Sequence, residues 1–434
     1  MSPRRLALFL LLFLAAVRSP AAQTDAVAPW LDARIDDLTA LYRHLHEHPE
    51  LSFRETATAA RMAAELRAAG LTVTEQVGGT GVVGVLDNGA GPVGLLRADM
   101  DALPIAEATG LPYASKIRAE SADGRAIGVM HACGHDVHMA CLVGAAAWLA
   151  AHRDAWRGTL VFVCQPAEER AGGMKAMLAD GLLTRFPRPA WALALHTADD
   201  LPVGTIGVRS GPAMANVDSC DITMFGRGGH GARPHLTIDP IVQAAQLVME
   251  LQTIVAREID PVQAAVITVG SIHGGSKHNI VGDRCHLQLT VRSYDAAVRD
   301  HMLAAIERKA KAVAASCRAP APTVEFSEHT PLLANDRALT DGVRAAAIAE
   351  FGAEHVVEIA PAMVAEDFGR LTAQGVPLCM FRLGTIASER LARLRAAGAL
   401  PPLHSAEYHP DAESAIRAGI RAYVAIVGEL AKRE

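Results

Sequence analysis

The stretch TLVFVCQPAEE, residues 159–169, runs from an apolar segment straight into two adjacent carboxylates. A short run of β-branched and aromatic residues closed by a proline turn reads as a buried strand. GVVGVL (81–86), VGLLRA (93–98) and WALALH (191–196) have the same character. Helical segments separate them: residues 37–70, broken near HPEL and stopped at Gly70, and residues 136–152, rich in Ala and Leu. Strands that alternate with helices indicate an α/β layer fold around a mainly parallel sheet.

The pattern changes after Pro212. VDSCDITMFG reads as a strand, 239–257 as a helix, AAVITVGSI and RCHLQLTVRS as two strands, 295–316 as a helix and PTVEF as a strand. That order, β-α-β-β-α-β, is the split βαβ or ferredoxin-like unit. After about residue 329 the α/β pattern resumes and ends in a helix at 411–432. The expected division is an α/β domain in two parts, 30–212 and 329–434, interrupted by a small α+β domain at 213–328.

Bulk properties agree with this division and exclude several classes. A chain of 434 residues suits two or three domains at roughly 100–200 residues each. It is 50% hydrophobic and 20% charged, hence globular, and its net charge of −6 comes with no basic cluster, which argues against nucleic acid. The N-terminus has Arg4 and Arg5, an apolar run over 6–17, and small residues around Ala21 and Ala22. This is the pattern of a secretory signal over residues 1–22, too short for a comfortable membrane span. The expectation is an exported chain, soluble once the signal is removed, in the periplasm or outside the cell. The seven cysteines are thinly spread and odd in number, so no disulfide framework is expected and at least one thiol stays free. Cys133 is the candidate, because it sits among other ligand-type residues.

In open α/β sheets, ligands bind beyond the carboxyl ends of the strands. Asp99 and Asp101 follow VGLLRA, Glu168 and Glu169 follow TLVFVC, and His196 ends WALALH. MHACGHDVHMA (130–140) opens a helix, and His404 lies in the loop PLHSAEYHPD before the last one. Cys133 and His135, two residues apart, reach one side of an extended segment. Thiolate and imidazole suit zinc and its neighbours, and a Cys–His nucleophile pair is the rival reading. That rival leaves Glu168, Glu169, His196 and His404 without work. Adjacent carboxylates diverge, so one of the pair Glu168/Glu169 can bind metal while the other stays free as a base. His44, His46, His131, His138 and His409 read as structural, with support of a ligand open to His138.

Taken in order, LRADMDALPI, GVMHACGHDVHMACLVGAA, VFVCQPAEE, GRGGHGARPH, EDF (366–368) and LHSAEY resemble the M20 metallopeptidase family, in its hippurate and indole-acetyl-amino-acid amidohydrolase branch. The likeness extends from about residue 35 to the end. It implies a catalytic α/β domain with a di-metal centre and an inserted lid or dimerisation domain, leaving a homodimer through that domain open. It implies metal binding by Cys133, His135, Glu169, His196 and His404, with Cys133 as bridge. Glu168 is implied as general base on the attacking water, and Asp101 as the aspartate that orients the site. His230, in GRGGHGARPH, matches an imidazole offered to the scissile carbonyl, and Asn279 and Arg292 match residues that hold the substrate and its carboxylate. The two ions are expected to be manganese or zinc, with cobalt and nickel also suiting the mixed ligands.

Three departures from the family's usual residues fall near the substrate: GGSKHNIVGD around Asn279, Met139 in place of Thr, and Ala406 in place of Pro. They spare the implied ligands and leave the exact substrate open. The expected activity is hydrolysis of the amide bond of N-acyl amino acids or related conjugates. The alternative on the same fold is a carboxypeptidase or dipeptidase acting on small peptides. Outside hydrolysis, a solute-binding protein that has lost its chemistry would have no need of Glu168.

Overall fold

The computed structural model describes residues 27–120 and 124–432; the expected signal segment 1–22 lies outside the described residues. In chain order the elements begin with helices α1 (Ile35–Glu47) and α2 (Thr56–Ala68), then strands β1 (Thr72–Val77), β2 (Gly81–Asn88) and β3 (Val93–Asp99). A small hairpin, β4 (Arg118–Glu120) and β5 (Ala126–Gly128), precedes α3 (His135–Ala151), β6 (Gly158–Gln165), α4 (Gly173–Ala179) and β7 (Trp191–Pro202). Short strands β8 (Ile206–Val208) and β9 (Gly211–Met214) lead to the second layer.

That layer holds β10 (Asn216–Phe225), β11 (Gly229–His230), α5 (Pro240–Glu258), β12 (Ala265–Gly274), β13 (Ile280–Val281), β14 (Arg284–Ser293), α6 (Ala296–Ser316) and β15 (Thr323–Thr330). The chain then returns through β16 (Leu333–Asn335), α7 (Arg337–Phe351), β17 (Val356–Glu358), β18 (Leu378–Ile386), α8 (Ser388–Ala396) and α9 (Ala412–Leu430).

Eight strands form the main sheet in the order β1-β2-β6-β3-β7-β18-β8-β17. Its centre, β6-β3-β7-β18, is parallel throughout, as the α/β reading requires. These central strands are buried nearly end to end, because both faces are covered. One face packs on a core that includes Leu193, Leu195, Phe381 and the helix residues Leu142 and Tyr423. The other packs on Ala192, Ala194, Met214, Phe368 and Met380. Helix α3 is buried almost all round, which explains why its sequence shows no polar stripe.

The second sheet, β12-β14-β10-β15, is antiparallel. Along β10, buried and half-buried residues alternate, the signature of a sheet with one covered face. Helices α5 and α6 cover that face and share a separate core with it, including Ile222, Leu247, Leu287 and Ile306. Both helices start at aspartate caps: Asp239 accepts the amide of Ile241 at 2.9 Å ahead of Pro240, and Asp295 that of Val298 at 3.0 Å. Strand β7 runs six residues past its expected end at His196, and the last strand runs to Thr330 rather than stopping at Phe326. In these extensions Thr197 pairs with Leu383, and Ser327 and Thr330 pair with Ser219 and Val217, of neighbouring strands.

His46 ties α1 to the start of α3. Its ring is buried and bonds Asp136 at 2.7 Å and Glu107 at 3.1 Å. Burial opposes its charge, but the two carboxylates win and raise its pKa to about 10. A folded pKa above the unfolded value of about 6.5 gives stability that is complete below that value and is lost as pH rises toward 10. Replacing His46 with Gln is expected to cost about 1.5–3 kcal/mol near neutral pH. Denaturation melts across pH 6–10 should show the gap between variant and wild type closing as pH rises; a constant gap would contradict the charged pair.

Candidate metal centre

The carboxyl ends of β3 and β6, the middle of β7 at His196 and the start of α3 meet the loop that carries His404. Gly134 makes the first meeting possible. It adopts a left-handed conformation (φ +79°), and a Cβ there would lie 2.8 Å from the Thr197 side chain. Cys133 and His135 therefore converge through a glycine turn at the helix start, and not through the strand alternation inferred from their spacing. Donor atoms of Cys133, His135 and His196 lie within 4.8 Å of one another, as do those of Cys133, Glu169 and His404. The two groups share Cys133. Its sulfur is 3.6 Å from His196 Nε2 and 3.2 Å from His404 Nε2.

The imidazoles are oriented from behind. His135 Nδ1 donates to the Asp101 carbonyl at 2.7 Å, and His196 Nδ1 to the Thr197 carbonyl at 2.9 Å. Each then turns its Nε2 toward the cluster, the usual arrangement for a ligand histidine. His138 differs: Nδ1 donates to Asp99 at 2.6 Å and Nε2 accepts the Thr197 amide at 2.9 Å, so both nitrogens are used. His404 has φ +66°, a strained conformation for a residue with a side chain. It is held by its own amide on the Ala132 carbonyl (2.9 Å) and by the Leu403 amide on Asp199 (2.6 Å).

Glu168 and Glu169 sit on a single 3-10 turn, flanked by Ala167 and Ala171 at φ +47° and +50°. Asp101 fastens this turn, accepting the amides of Glu168 (3.1 Å) and Glu169 (3.0 Å) and the Ser52 hydroxyl (2.6 Å). Asp101 thus orients the carboxylate pair itself. Glu169 Oε1 lies 3.4 Å from His404 Nε2 and 3.8 Å from His135 Nε2. Glu168 has carboxylate oxygens within 4.8 Å of His135 and Glu169 on one side and of Glu366 and Asp367 on the other.

A buried charge network lies beneath. Arg97 is wholly buried and reaches Asp99 at 2.7 Å, Glu366 at 2.9 Å and the Gln165 side chain at 2.9 Å. Asp99 bonds Arg97 and His138 and lies 3.5 Å from His135 Nε2, forming a further group of possible donors with the two histidines. Asp367 accepts the Gln165 side-chain amide and, at 2.9 Å, the Met174 amide. Four carboxylates, Asp99, Glu168, Glu366 and Asp367, surround one guanidinium. Burial and mutual repulsion raise three of them: Glu168 well above the usual range, Glu366 above it, and Asp367 to about 7. Asp99, held by Arg97 against the cost of burial, is lowered.

Around the cluster, the neighbouring Cys133 and Glu169 push His404 up to about 10. Burial would lower His135, but Asp99 and Cys133 outweigh it and hold it well above the ordinary range. Burial, with Glu169 alongside, pushes the Cys133 thiol up. These directions describe a pocket with more negative charge than it neutralises internally, the electrostatic complement of a cation. His135 Nε2 and Glu169 Oε1 are buried without a hydrogen-bond partner among the described residues. One thiol, three imidazoles and one carboxylate fit borderline divalent ions, and the two groups sharing Cys133 fit a pair of them.

Three expected substrate residues lie apart from this cluster. His230 and Asn279 are exposed on the ribbon formed by β11 and β13, where His230 faces Ile280 and the Gly231 amide bonds the Asn279 carbonyl at 2.9 Å. Arg292 donates to the Met363 carbonyl at 2.5 Å and to Thr290 Oγ1 at 3.2 Å. Sequence reading assigned no role to Arg97, Gln165, Glu366 or Asp367. A lone arginine in an apolar strand, two residues before Asp99 and so on the same face, was the available signal for the first. All seven cysteines are free, and all but Cys317 are buried.

The family model for peptidase family M20/M25/M40 matches residues 95–428. The chain is similar to the N-acetyl-L-cysteine deacetylase of Bacillus subtilis, at 40% identity over 332 residues, 76% of each chain. It is also similar to thermostable carboxypeptidase 2 of Saccharolobus solfataricus, at 36% identity over 397 residues, 89% of this chain and 94% of that protein. Among solved structures it resembles a Bacillus subtilis protein described as a dinuclear metal-binding peptidase of the M20 family. That match has a TM-score of 0.74 at 30% identity and covers 92% of this chain and all of the other.

Proposed function

The chain belongs to peptidase family M20/M25/M40 and is a hydrolase of amide bonds; we propose that it cleaves N-acyl amino acids, with Glu168 as general base. The observation that carries this reading is the divergence of the two glutamates on one turn. Glu169 lies against His404 and His135, while Glu168 borders the same group and extends to Glu366 and Asp367 on its other side. Cys133, His135, His196, Glu169 and His404 would hold two divalent ions. When bound, the pair supplies Lewis acidity, polarising the scissile carbonyl and lowering the pKa of water.

Within the chain's own chemistry, Glu168 takes a proton from the attacking water and returns it to the leaving amine. Its carboxyl, destabilised as an anion by burial and by Glu366, suits both directions of that transfer. Asp101 keeps the turn in register by its two amide bonds. His230 is proposed to donate to the developing oxyanion, with Asn279 and Arg292 holding the substrate once the 213–328 unit closes over the site. Export is proposed from the N-terminal residues alone. Manganese or zinc is the proposed metal.

The test is carried out on the chain without residues 1–22. Chelation should abolish release of free amino acid from N-acetyl, N-benzoyl and indole-acetyl amino acids, and readdition of one metal should restore it. Similarity to a carboxypeptidase supports a second reading, and plain dipeptides in the same panel separate the two. Cleavage of dipeptides without cleavage of acyl amino acids would reject the proposal. Turnover that survives complete metal removal would reject the metal-dependent class.

A further inference from the structure

A cavity of about 460 Å³ opens beside the second half of β7 and the first half of β18, within the usual size range for small-molecule sites. Most of its lining is small or apolar, including Ala198, Ala213, Met214 and Met380, and one cation enters it, Arg382. Arg382 pairs in register with His196 on one side and with Gly207 on the other. Adjacent strands lie about 4.8 Å apart and paired residues share a face, so Arg382 stands directly beside a residue of the metal cluster.

The backbone makes room for it. A Cβ on Gly207 would come within 3.2 Å of Arg382 Cβ and 2.7 Å of Ile359. The next position on the same face, Gly384, has no space for a side chain, since a Cβ would meet the Pro202 carbonyl oxygen at 2.0 Å.

Among the described residues the Arg382 guanidinium makes no hydrogen bond and no ion pair, although it is only partly exposed. The acidic groups nearby are engaged or face elsewhere. Asp199 accepts the Leu403 amide, and Glu358 pairs with Arg344. Asp200 also borders the cavity but lies beyond ion-pair distance. An arginine enclosed without a partner is costly unless a ligand supplies one.

We propose that Arg382 anchors a carboxylate of the substrate in this cavity, beside the metal cluster, and so selects acyl conjugates that carry an acidic group there. The proposal rests on the amide-hydrolysis reading above. A guanidinium meets a carboxylate through two parallel N–H donors, which fixes orientation as well as charge. The carboxylate has two sources, the amino-acid half or a dicarboxylic acyl half.

Two measurements test this. The first is steady-state hydrolysis of N-acetyl-L-leucine, N-acetyl-L-leucinamide and N-succinyl-L-leucinamide by the metal-loaded wild type, R382K and R382M. R382M should lose roughly 10- to 100-fold in kcat/KM on carboxylate substrates, mainly through KM, and little on the neutral amide. R382K should fall between, because lysine restores charge but not the planar fork. Dependence on Arg382 that follows the leucine carboxylate assigns the amino-acid half; dependence that follows the succinyl group assigns the acyl half.

The second is calorimetric binding of the same three compounds to loaded E168Q and E168Q/R382M, which requires no turnover. Arg382-dependent binding of the carboxylates with no hydrolysis by wild type would sink the proposed function and keep this inference. Equal losses on acid and amide, or loss of metal in R382M, would make Arg382 structural and overturn it. If R382M does not fold, a wild type that binds neither N-acetyl-L-leucine nor N-succinyl-L-leucinamide better than N-acetyl-L-leucinamide overturns it equally.

Discussion

Replacing Glu168 with alanine lowers amide hydrolysis by at least two orders of magnitude while the metal content of the loaded protein stays at the wild-type level. General-base catalysis contributes about 10²–10⁴-fold, and nothing else near the cluster is placed to substitute. Glu366 and Asp367 are the nearest carboxyls, but Glu366 is bonded to Arg97 and Asp367 to Gln165 and the Met174 amide. Metal content should survive because Cys133, His135, Glu169, His196 and His404 remain, and because Asp101 holds the turn through backbone amides that alanine keeps.

The same substitution should leave stability unchanged or raise it, since the Glu168 anion is opposed by burial, Glu366 and Glu169. A catalytic group held in an unfavourable environment shows this opposition of stability and activity. Metal analysis, thermal melts and kinetics on one preparation separate the outcomes. Loss of a metal equivalent would make Glu168 a ligand, and a variant that retains activity would remove it from the chemistry.

Replacing Arg97 with methionine destabilises the α/β layer by about 3–5 kcal/mol, the range for breaking a buried pair from one side. Methionine fills similar space, so the effect is electrostatic: Asp99 and Glu366 lose the guanidinium that both contact. The loss depends on pH with a definite sign. Burial and Glu366 already raise Asp367 to about 7 in the folded protein, against about 3.9 unfolded. A carboxyl raised on folding favours the folded state most when protonated, so its contribution is present below about pH 4 and is lost as pH climbs toward 7. Without Arg97 the repulsion grows, so R97M should be least stable relative to wild type at and above pH 7 and should recover toward pH 5. Urea denaturation across that range is the measurement, and a pH-independent deficit would place the cost in packing instead of charge.

Much of the main sheet and of the ligand chemistry was legible in the sequence, because both depend on local patterns. The central strands are short apolar runs, and Glu168, Glu169 and His196 follow them directly in the chain. Aspartates that cap helices stand just before the helices they cap. Strand ends were less legible, since residues 197–202 of β7 include Asp199, Asp200 and Pro202, and the segment is extended because β18 lies alongside. The turn at Gly134 was missed for a related reason: its left-handed backbone answers to Thr197, more than sixty residues away in the chain.

By itself, then, the sequence determined which kinds of donor this protein places at the ends of which strands, because strand, turn and ligand are written consecutively. Tertiary structure decided how those donors divide their roles. Asp99 is bonded by Arg97 and His138, Glu366 and Asp367 arrive from another part of the chain, and Arg382 comes to stand unpaired beside His196. Each of these depends on sheet order and side-chain direction. A buried charge is assigned its role by whichever partner reaches it first, and in a folded chain that partner is set by distance in space.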